Sequence, residues 1–180
     1  NFLRNKDNLQ KQLNENESAT YSYPKWWIEK VKKQYPKNWR EILNIGNQRP
    51  PLALRINLKK LGMKNYSNTL DKQGIDHSLV SDECLIIRKP LDVNKIPGFL
   101  DGKVSVQDLG AQLAAHIIDL KENQKVLDAC SAPGGKACHM LELNEIQLTA
   151  IESDNQRTLK INNNIKRQGF KAKVLNETIN

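Results

Sequence analysis

Apolar positions in the first fifty residues recur at helical spacing. Residues 1–20 are rich in Asn, Gln, Lys and Glu, with Leu3, Leu9 and Leu13 as sparse apolar points, and read as a solvated helix end or a linker. From Pro24 the pattern sharpens: Trp26, Trp27, Val31 and Tyr35 follow at roughly helical intervals until Pro36 stops them. A second short helix, Lys37 to Ile45, sets Trp39, Ile42 and Leu43 on one face and ends at Gly46. The pattern then becomes strand-like in LALRIN, 52–57, helical from Tyr66 to Gln73 up to Gly74, and strand-like again in SLV and CLIIRK. This β-α-β-β order predicts a small α+β unit of the ferredoxin-like or RRM-like kind, preceded by N-terminal helices.

A third region opens at the turn PGFLDGK, 97–103. VSVQD reads as a strand, and DLGAQLAAHIIDL as a helix with Leu109, Leu113, Ile117 and Ile118 on its apolar side. The strand KVLDA, a helix from Gly135 to Leu143, the strand QLTAIE, a helix from Asn155 to Gln168 stopped by Gly169, and the strand KAKVLN follow in turn. Strand and helix alternate as expected of the first half of a doubly wound parallel sheet of the α/β class. The predicted divisions are therefore 1–46, helical; 47–100, α+β; and 101–180, α/β.

Charge adds a functional hint. The net charge is +8, and residues 1–100 carry 18 Lys and Arg against 10 Asp and Glu, whereas residues 101–180 carry 10 of each. All the excess positive charge thus precedes the α/β region, which suggests a nucleic-acid-facing module joined to a neutral one, because phosphate neutralisation is the main sequence-independent source of nucleic-acid affinity. The bland alternative is a soluble basic surface. No run of eighteen apolar residues occurs, and the polar start lacks the apolar centre of a secretory signal, so a cytoplasmic location is expected. The three cysteines, Cys84, Cys130 and Cys138, have neither disulfide nor zinc spacing, and reduced thiols fit them best. A chain that opens on Asn1 and closes on KVLNETIN reads as a piece of a longer polypeptide.

The stretch LDACSAPGGKACHM, 127–140, invites an anion-loop reading. A Walker A loop needs Gly where Cys130 stands and Ser or Thr where Ala137 stands, so magnesium would lack its hydroxyl ligand. A dinucleotide loop needs G-x-G-x-x-G, and here the glycines are adjacent, with Pro133 before them. The third reading is a loop for a cosubstrate with no phosphate to cradle: Pro133 fixes a torsion, and Gly134 and Gly135 let the main chain approach an amino-acid moiety closely. Glu152, about 20 residues on at the end of the next strand, would accept both hydroxyls of a ribose. S-adenosyl-L-methionine, a nucleoside with a ribose diol and no phosphate, fits best, and no metal is called for.

VSVQDLGAQ, followed by VLDACSAPGGKACHMLEL and AIESDNQRTLKINNNIKRQGF, resembles the bacterial 16S ribosomal RNA cytosine 5-methyltransferases of the RsmB, Sun or Fmu type. The upstream YPKNWREILNIGNQRPPLALRIN resembles the same proteins, so the likeness runs over residues 24–176. The resemblance implies a Rossmann-like methyltransferase domain after the α+β unit, with residues 1–46 ending an N-terminal RNA-binding region and 16S ribosomal RNA as partner. It implies that Cys130, Ser131, Ala132, Pro133, Gly134, Gly135 and Lys136 form the S-adenosylmethionine loop and that Glu152, where the family usually has Asp, is the ribose carboxylate. A further family carboxylate aligns near Thr178, which has no charge. The family's nucleophilic and helper cysteines follow Pro-Cys and Thr-Cys pairs downstream of the loop, and neither pair occurs here. No catalytic residue is therefore assigned, and the chain by itself is expected to be inactive. Two other readings stay open, a tRNA 5-methylcytosine methyltransferase and a catalytically empty RNA-binding protein. With the strand KVLDA at a sheet edge where the family places two more strands, the isolated chain is expected to self-associate, and the whole protein to be a monomer.

Single residues carry paired readings. Lys136 either contacts the methionine carboxylate or is merely solvated. His139 reads as packing rather than as a base, and Asp128 as an orienter of loop amides. Gln107 and Asp108 support the cosubstrate pocket or, for Asp108, cap the following helix. Trp26, Trp27 and Trp39 are base-stacking platforms or, favoured by their spacing, core residues. Arg49, Arg55, Lys59, Lys60 and Lys64 are the RNA candidates, or plain surface charge.

Overall fold

The computed structural model describes residues 4–6, 8, 11, 13, 16–89 and 91–179; Leu3 and Leu9, two of the apolar points noted above, lie outside them. The chain forms two compact units, Asn1–Pro50 and Pro51–Asn180.

In the first unit, Asn16 caps α1 (Glu17–Tyr21), its side-chain oxygen accepting from the N–H groups of Ser18 and Ala19. Helix α2 (Lys25–Gln34) and α3 (Trp39–Gly46) close a small core of Ile28, Val31, Trp39 and Leu43, against which Tyr21 and Tyr23 pack. Lys32 Nζ sits 4.4 Å above the Trp39 ring and 2.5 Å from Glu17, so Trp39 is a core residue with a cation on its outer face. Trp26 and Trp27 are exposed, at 62% and 39%.

In the second unit, β1 (Leu52–Ile56), β2 (His77–Leu79), β3 (Cys84–Ile87) and β4 (Val104–Val106) make an antiparallel sheet in the order β2-β3-β1-β4, with Leu54 opposite both Leu85 and Val106. Helix α4 (Met63–Lys72) covers one face: Tyr66 and Leu70 meet Leu54, Ile56, Leu85 and Ile87. Strand β1 lacks the buried-exposed alternation of a one-sided sheet, since Ala53 and Arg55 on its other face are buried too. That second face packs on the α/β layer, where Arg55 meets Glu142. The segment VSVQD, read as opening the third region, instead supplies β4, the edge strand beside β1.

The α/β layer holds β5 (Lys125–Asp128), β6 (Gln147–Ile151) and β7 (Lys173–Leu175), parallel and in that order, with helices α5 (Leu109–Ile117), α6 (Gly135–Leu143) and α7 (Asn155–Gln168). Asp154 caps α7 through the N–H of Arg157 at 2.9 Å, and Gly169 ends it with φ +82. Helix α5 differs from its sequence pattern. Leu109, Leu113, Ile117 and Ile118 face outward, and Gln112 and Ala115 face inward, because the helix approaches α6 closely through Ala115 beside Ala137. Leu127 on the edge strand β5 is also exposed. An apolar edge of this kind invites pairing with a second copy. The isolated chain should therefore sediment with a concentration-dependent increase in mass; a monomer up to high concentration would show that the patch is tolerated in water.

Candidate functional site

The chain leaves the C-terminal end of β5 and turns through residues 129–134 into α6. The Ser131 N–H donates to the Ile151 carbonyl at the end of β6 (3.0 Å), and the Gly134 N–H to the Ser131 carbonyl (2.6 Å), so the loop folds back against the neighbouring strand. The Ala132–Pro133 peptide bond is cis. Gly134 has φ +99, and a Cβ there would lie 3.4 Å from the Ile161 Cα, whereas one at Gly135 would make ordinary contact with Gln107 at 3.9 Å. Of the adjacent glycines, the first is the one the backbone requires. Two remote side chains hold the loop from outside: Asn164 Nδ2 donates to the Pro133 carbonyl (2.9 Å) and Arg157 Nη2 to the Ala132 carbonyl (3.4 Å). Neither is visible from spacing, since they lie 31 and 25 positions further along the chain.

Beside the loop is a cavity of about 230 Å³, lined by Cys130, Ser131, Ala132, Pro133, Gly135 and Lys136 from the predicted set, and by Val106, Gln107, Asp108, Ala111 and Asp128. Asp108 occupies the N-cap position of α5 but makes no capping hydrogen bond, so its carboxylate remains available to the cavity. The Ser131 hydroxyl is buried without a hydrogen-bond partner. A larger hollow of about 630 Å³ lies over the starts of β5, β6 and β7, lined by Lys125, Gln147 and Lys173 among others. It is at the wrong end of the sheet: ligands of open α/β sheets bind at the carboxyl ends of the strands, where the loop lies.

Glu152 and Gly134 do not line the smaller cavity. Glu152 follows β6 directly and is 4% exposed. Its Oε1 accepts from the Asp154 N–H at 3.1 Å; Oε2 lies 3.4 Å from Arg157 Nη1 but accepts no hydrogen bond. The Asn176 side chain donates to the Glu152 and Ser153 carbonyls at 2.8 and 2.9 Å, holding the turn that presents the acid. Thr178 is exposed in irregular chain.

Residues 23–94 match the family model described as the RsmF/B-like methyltransferase ferredoxin-like domain, and residues 115–179 match that of the 16S rRNA methyltransferase RsmB/F. The chain is 42% identical over 174 residues to ribosomal RNA small subunit methyltransferase B of Shewanella oneidensis, covering 93% of this chain and 41% of that protein. It is 37% identical over 178 residues to the probable ribosomal RNA small subunit methyltransferase B of Coxiella burnetii, covering 97% and 41%. The chain belongs to the RsmB/F family of 16S rRNA methyltransferases. It spans about two fifths of the length of these RsmB relatives. A methyltransferase homolog protein from Pyrococcus horikoshii shares the fold, with a TM-score of 0.77 at 21% identity over 89% of this chain and 55% of that one. The RsmB/F match thus supports the fold read from the element order, a ferredoxin-like domain followed by a Rossmann-like methyltransferase layer.

Within this RsmB/F chain the three thiols differ sharply. Cys130 is exposed, while Cys84 and Cys138 are buried. Burial raises the Cys84 thiol above its ordinary value and pushes Cys138 up to about 12. Neither buried sulfur is thus a thiolate near neutrality. For Cys138 the folded pKa exceeds the unfolded value of about 9, so above that pH the unfolded chain loses a proton that the folded chain keeps. Stability should be unaffected by this thiol below about pH 9 and fall by about 1.4 kcal/mol per pH unit between about 9 and 12. Urea denaturation of wild type and Cys138→Ala across that window checks the slope, which the variant should reduce.

His139 is fully buried, and burial lowers its pKa to about 4, so it is a neutral packing residue. Its Nε2 donates to Glu83 at 3.4 Å and that of His116 at 2.5 Å; these groups fall within 4.8 Å of one another, and the Glu83 carboxylate is satisfied by the two imidazoles without a cation. Among the basic candidates, Arg49 and Lys64 are exposed, while Lys59 Nζ and Lys60 Nζ donate to the carbonyls of Leu141 and Asp101 at 3.2 and 2.9 Å. Arg55 is no RNA contact: it is fully buried, because β1 is covered on both faces.

Proposed function

We propose that this chain holds the S-adenosyl-L-methionine site of a protein that methylates carbon 5 of a cytosine in 16S rRNA, with the nucleophilic cysteine outside these 180 residues. What supports the reading most is one juxtaposition: a Pro-Gly-Gly turn beside a cavity, and, at the end of the adjacent strand, a buried acid with an unused acceptor oxygen. Bound S-adenosylmethionine supplies an electrophilic methyl group on a sulfonium sulfur. The chain's own residues bind and orient. The first-turn N–H groups of α6 and the Lys136 ammonium suit a carboxylate, Asp108 and Asp128 suit an ammonium, and Glu152 Oε2 suits a ribose hydroxyl. At about 230 Å³ the cavity is smaller than usual ligand pockets, consistent with its taking the amino-acid end while the sugar lies outside it at Glu152.

On this reading residues 1–46 end an RNA-facing region, 47–100 carry the ferredoxin-like domain and 101–180 begin the methyltransferase domain of a cytoplasmic enzyme. Among the described residues no helix is long and apolar enough to cross a membrane. Calorimetric titration with S-adenosylmethionine is the direct test: saturable binding is expected, and a folded protein that shows none removes the reading. In a methyl-transfer assay on 16S rRNA, the whole protein should form 5-methylcytosine and the 180-residue chain none. Product from the chain alone would place the nucleophile within it, with Cys130 the exposed thiol to examine.

A further inference from the structure

Arg55 lies mid-strand in β1, with its side chain 0% exposed. A guanidinium at that depth needs its N–H donors occupied, and four of the five are. Nε donates to Glu142 Oε2 at 3.0 Å and Nη2 to Glu142 Oε1, a bidentate pair with the last turn of α6. Nη1 donates twice, to the side-chain oxygen of Gln107 and, at 3.0 Å, to the carbonyl of Gly135. Gln107 and Gly135 both line the cavity beside the glycine loop, one following β4 and the other opening α6, and they are direct neighbours, since a Cβ on Gly135 would lie 3.9 Å from the Gln107 side chain. Gln107 is held in turn: its Nε2 donates to the Ala111 carbonyl (3.2 Å), and its own carbonyl accepts from Gln112 Nε2 (2.8 Å). Arg55 itself does not line the cavity.

From this we infer that Arg55 is a positioning residue for the cosubstrate: one nitrogen, Nη1, ties the end of β4 to the first residue of α6 and so fixes the part of the cavity lining against which the amino-acid end of S-adenosylmethionine is held. The inference rests on the reading of the cavity given above. A purely structural role does not explain the arrangement, because a buried ion pair contributes little to net stability compared with an apolar pair of the same volume. The Glu142 pair anchors the guanidinium, and the third and fourth hydrogen bonds aim it at these two lining groups. Lysine cannot substitute, since a single ammonium lacks the planar fork that reaches Glu142, Gln107 and Gly135 together.

The test uses the whole protein, titrated with S-adenosylmethionine in a calorimeter and melted without it. In Arg55→Met/Glu142→Met both charges leave together, so the melting temperature should stay within a few degrees while affinity falls about tenfold. Gln107→Met, which keeps the Arg55–Glu142 pair and removes the Arg55–Gln107 hydrogen bond, should lose about threefold. Should the double variant not fold, Arg55→Lys takes its place, with the same tenfold loss expected. Wild-type affinity in whichever of these folds overturns the inference, as does a loss that disappears when variants are compared at equal distance below their melting temperatures. Failure of the wild type to bind is a different result: it removes the cosubstrate reading itself.

Discussion

Replacing Glu152 by alanine is expected to weaken S-adenosylmethionine binding by tenfold to a hundredfold while leaving the fold nearly intact. A hydrogen bond to a charged acceptor is worth about 1.5–3 kcal/mol, which converts to roughly that range in affinity. The carboxylate already has its Asp154 contact and lies near Arg157, whose side chain is half exposed and can turn to water, so truncation leaves no unpaired buried charge behind. The stability cost should accordingly be about 1 kcal/mol. Glu152→Gln keeps the shape and one acceptor oxygen but loses the charge, and should fall between wild type and alanine. Calorimetric titration of the three proteins, each melted alone as a control, decides the matter. Equal affinity in all three would detach the acid from the cosubstrate and leave it as a support for the turn that Asn176 also braces.

The largest expected loss of stability comes from a residue with no side chain. Gly102 is buried at φ +65, and a Cβ there would stand 2.5 Å from the Arg167 carbonyl oxygen and 2.6 Å from the Gln168 Cα. Both obstacles are backbone at the end of α7, so neither can rotate aside. Gly102→Ala combines a left-handed conformation unsuited to L side chains with direct overlap, and should cost about 3 kcal/mol or more. The same substitution at Gly110, in the first turn of α5 with nothing within 4 Å, should be neutral or stabilise by up to about 1 kcal/mol. Urea denaturation of the two variants gives the comparison. A Gly102→Ala protein as stable as wild type would mean that α7 and the turn before β4 are not packed together as described. That packing matters for the site, because Arg167 from the same end of α7 donates to the carbonyls of Phe99 and Val104 at 2.5 and 3.0 Å.

The parts of the fold set by neighbours in sequence were legible at once. Helix ends followed their stop residues: α3 ends at Gly46 and α7 at Gly169, as their glycines indicate. The order of strands and helices through the α/β layer matched its pattern closely. In the ferredoxin-like part, α4 begins at Met63 rather than Tyr66, because Gly62 and not an apolar residue marks its start. The glycine loop was equally plain, since Pro133, Gly134 and Gly135 act on the backbone they belong to. What periodicity misjudged was which way things face. Helix α5 has an apolar stripe on Leu109, Leu113 and Ile117, yet it is the side bearing Gln112 and Ala115 that packs inward, where small side chains permit close approach to α6.

The amino-acid sequence by itself determined the elements, the glycine turn, the acid one helix and one strand later, and the uneven charge. Each depends on local conformational preference or on composition, and these do not need a partner. Only the tertiary structure decided that β4 completes the ferredoxin-like sheet, that Cys138 is buried while Cys130 is open, and that Arg55, on charge alone a match for RNA, is locked to Glu142 87 positions away. The physical reason is common to all three. Burial and hydrogen-bond partnership are properties of what the rest of the chain brings alongside, and an arginine in water and one sealed between two layers are the same letter.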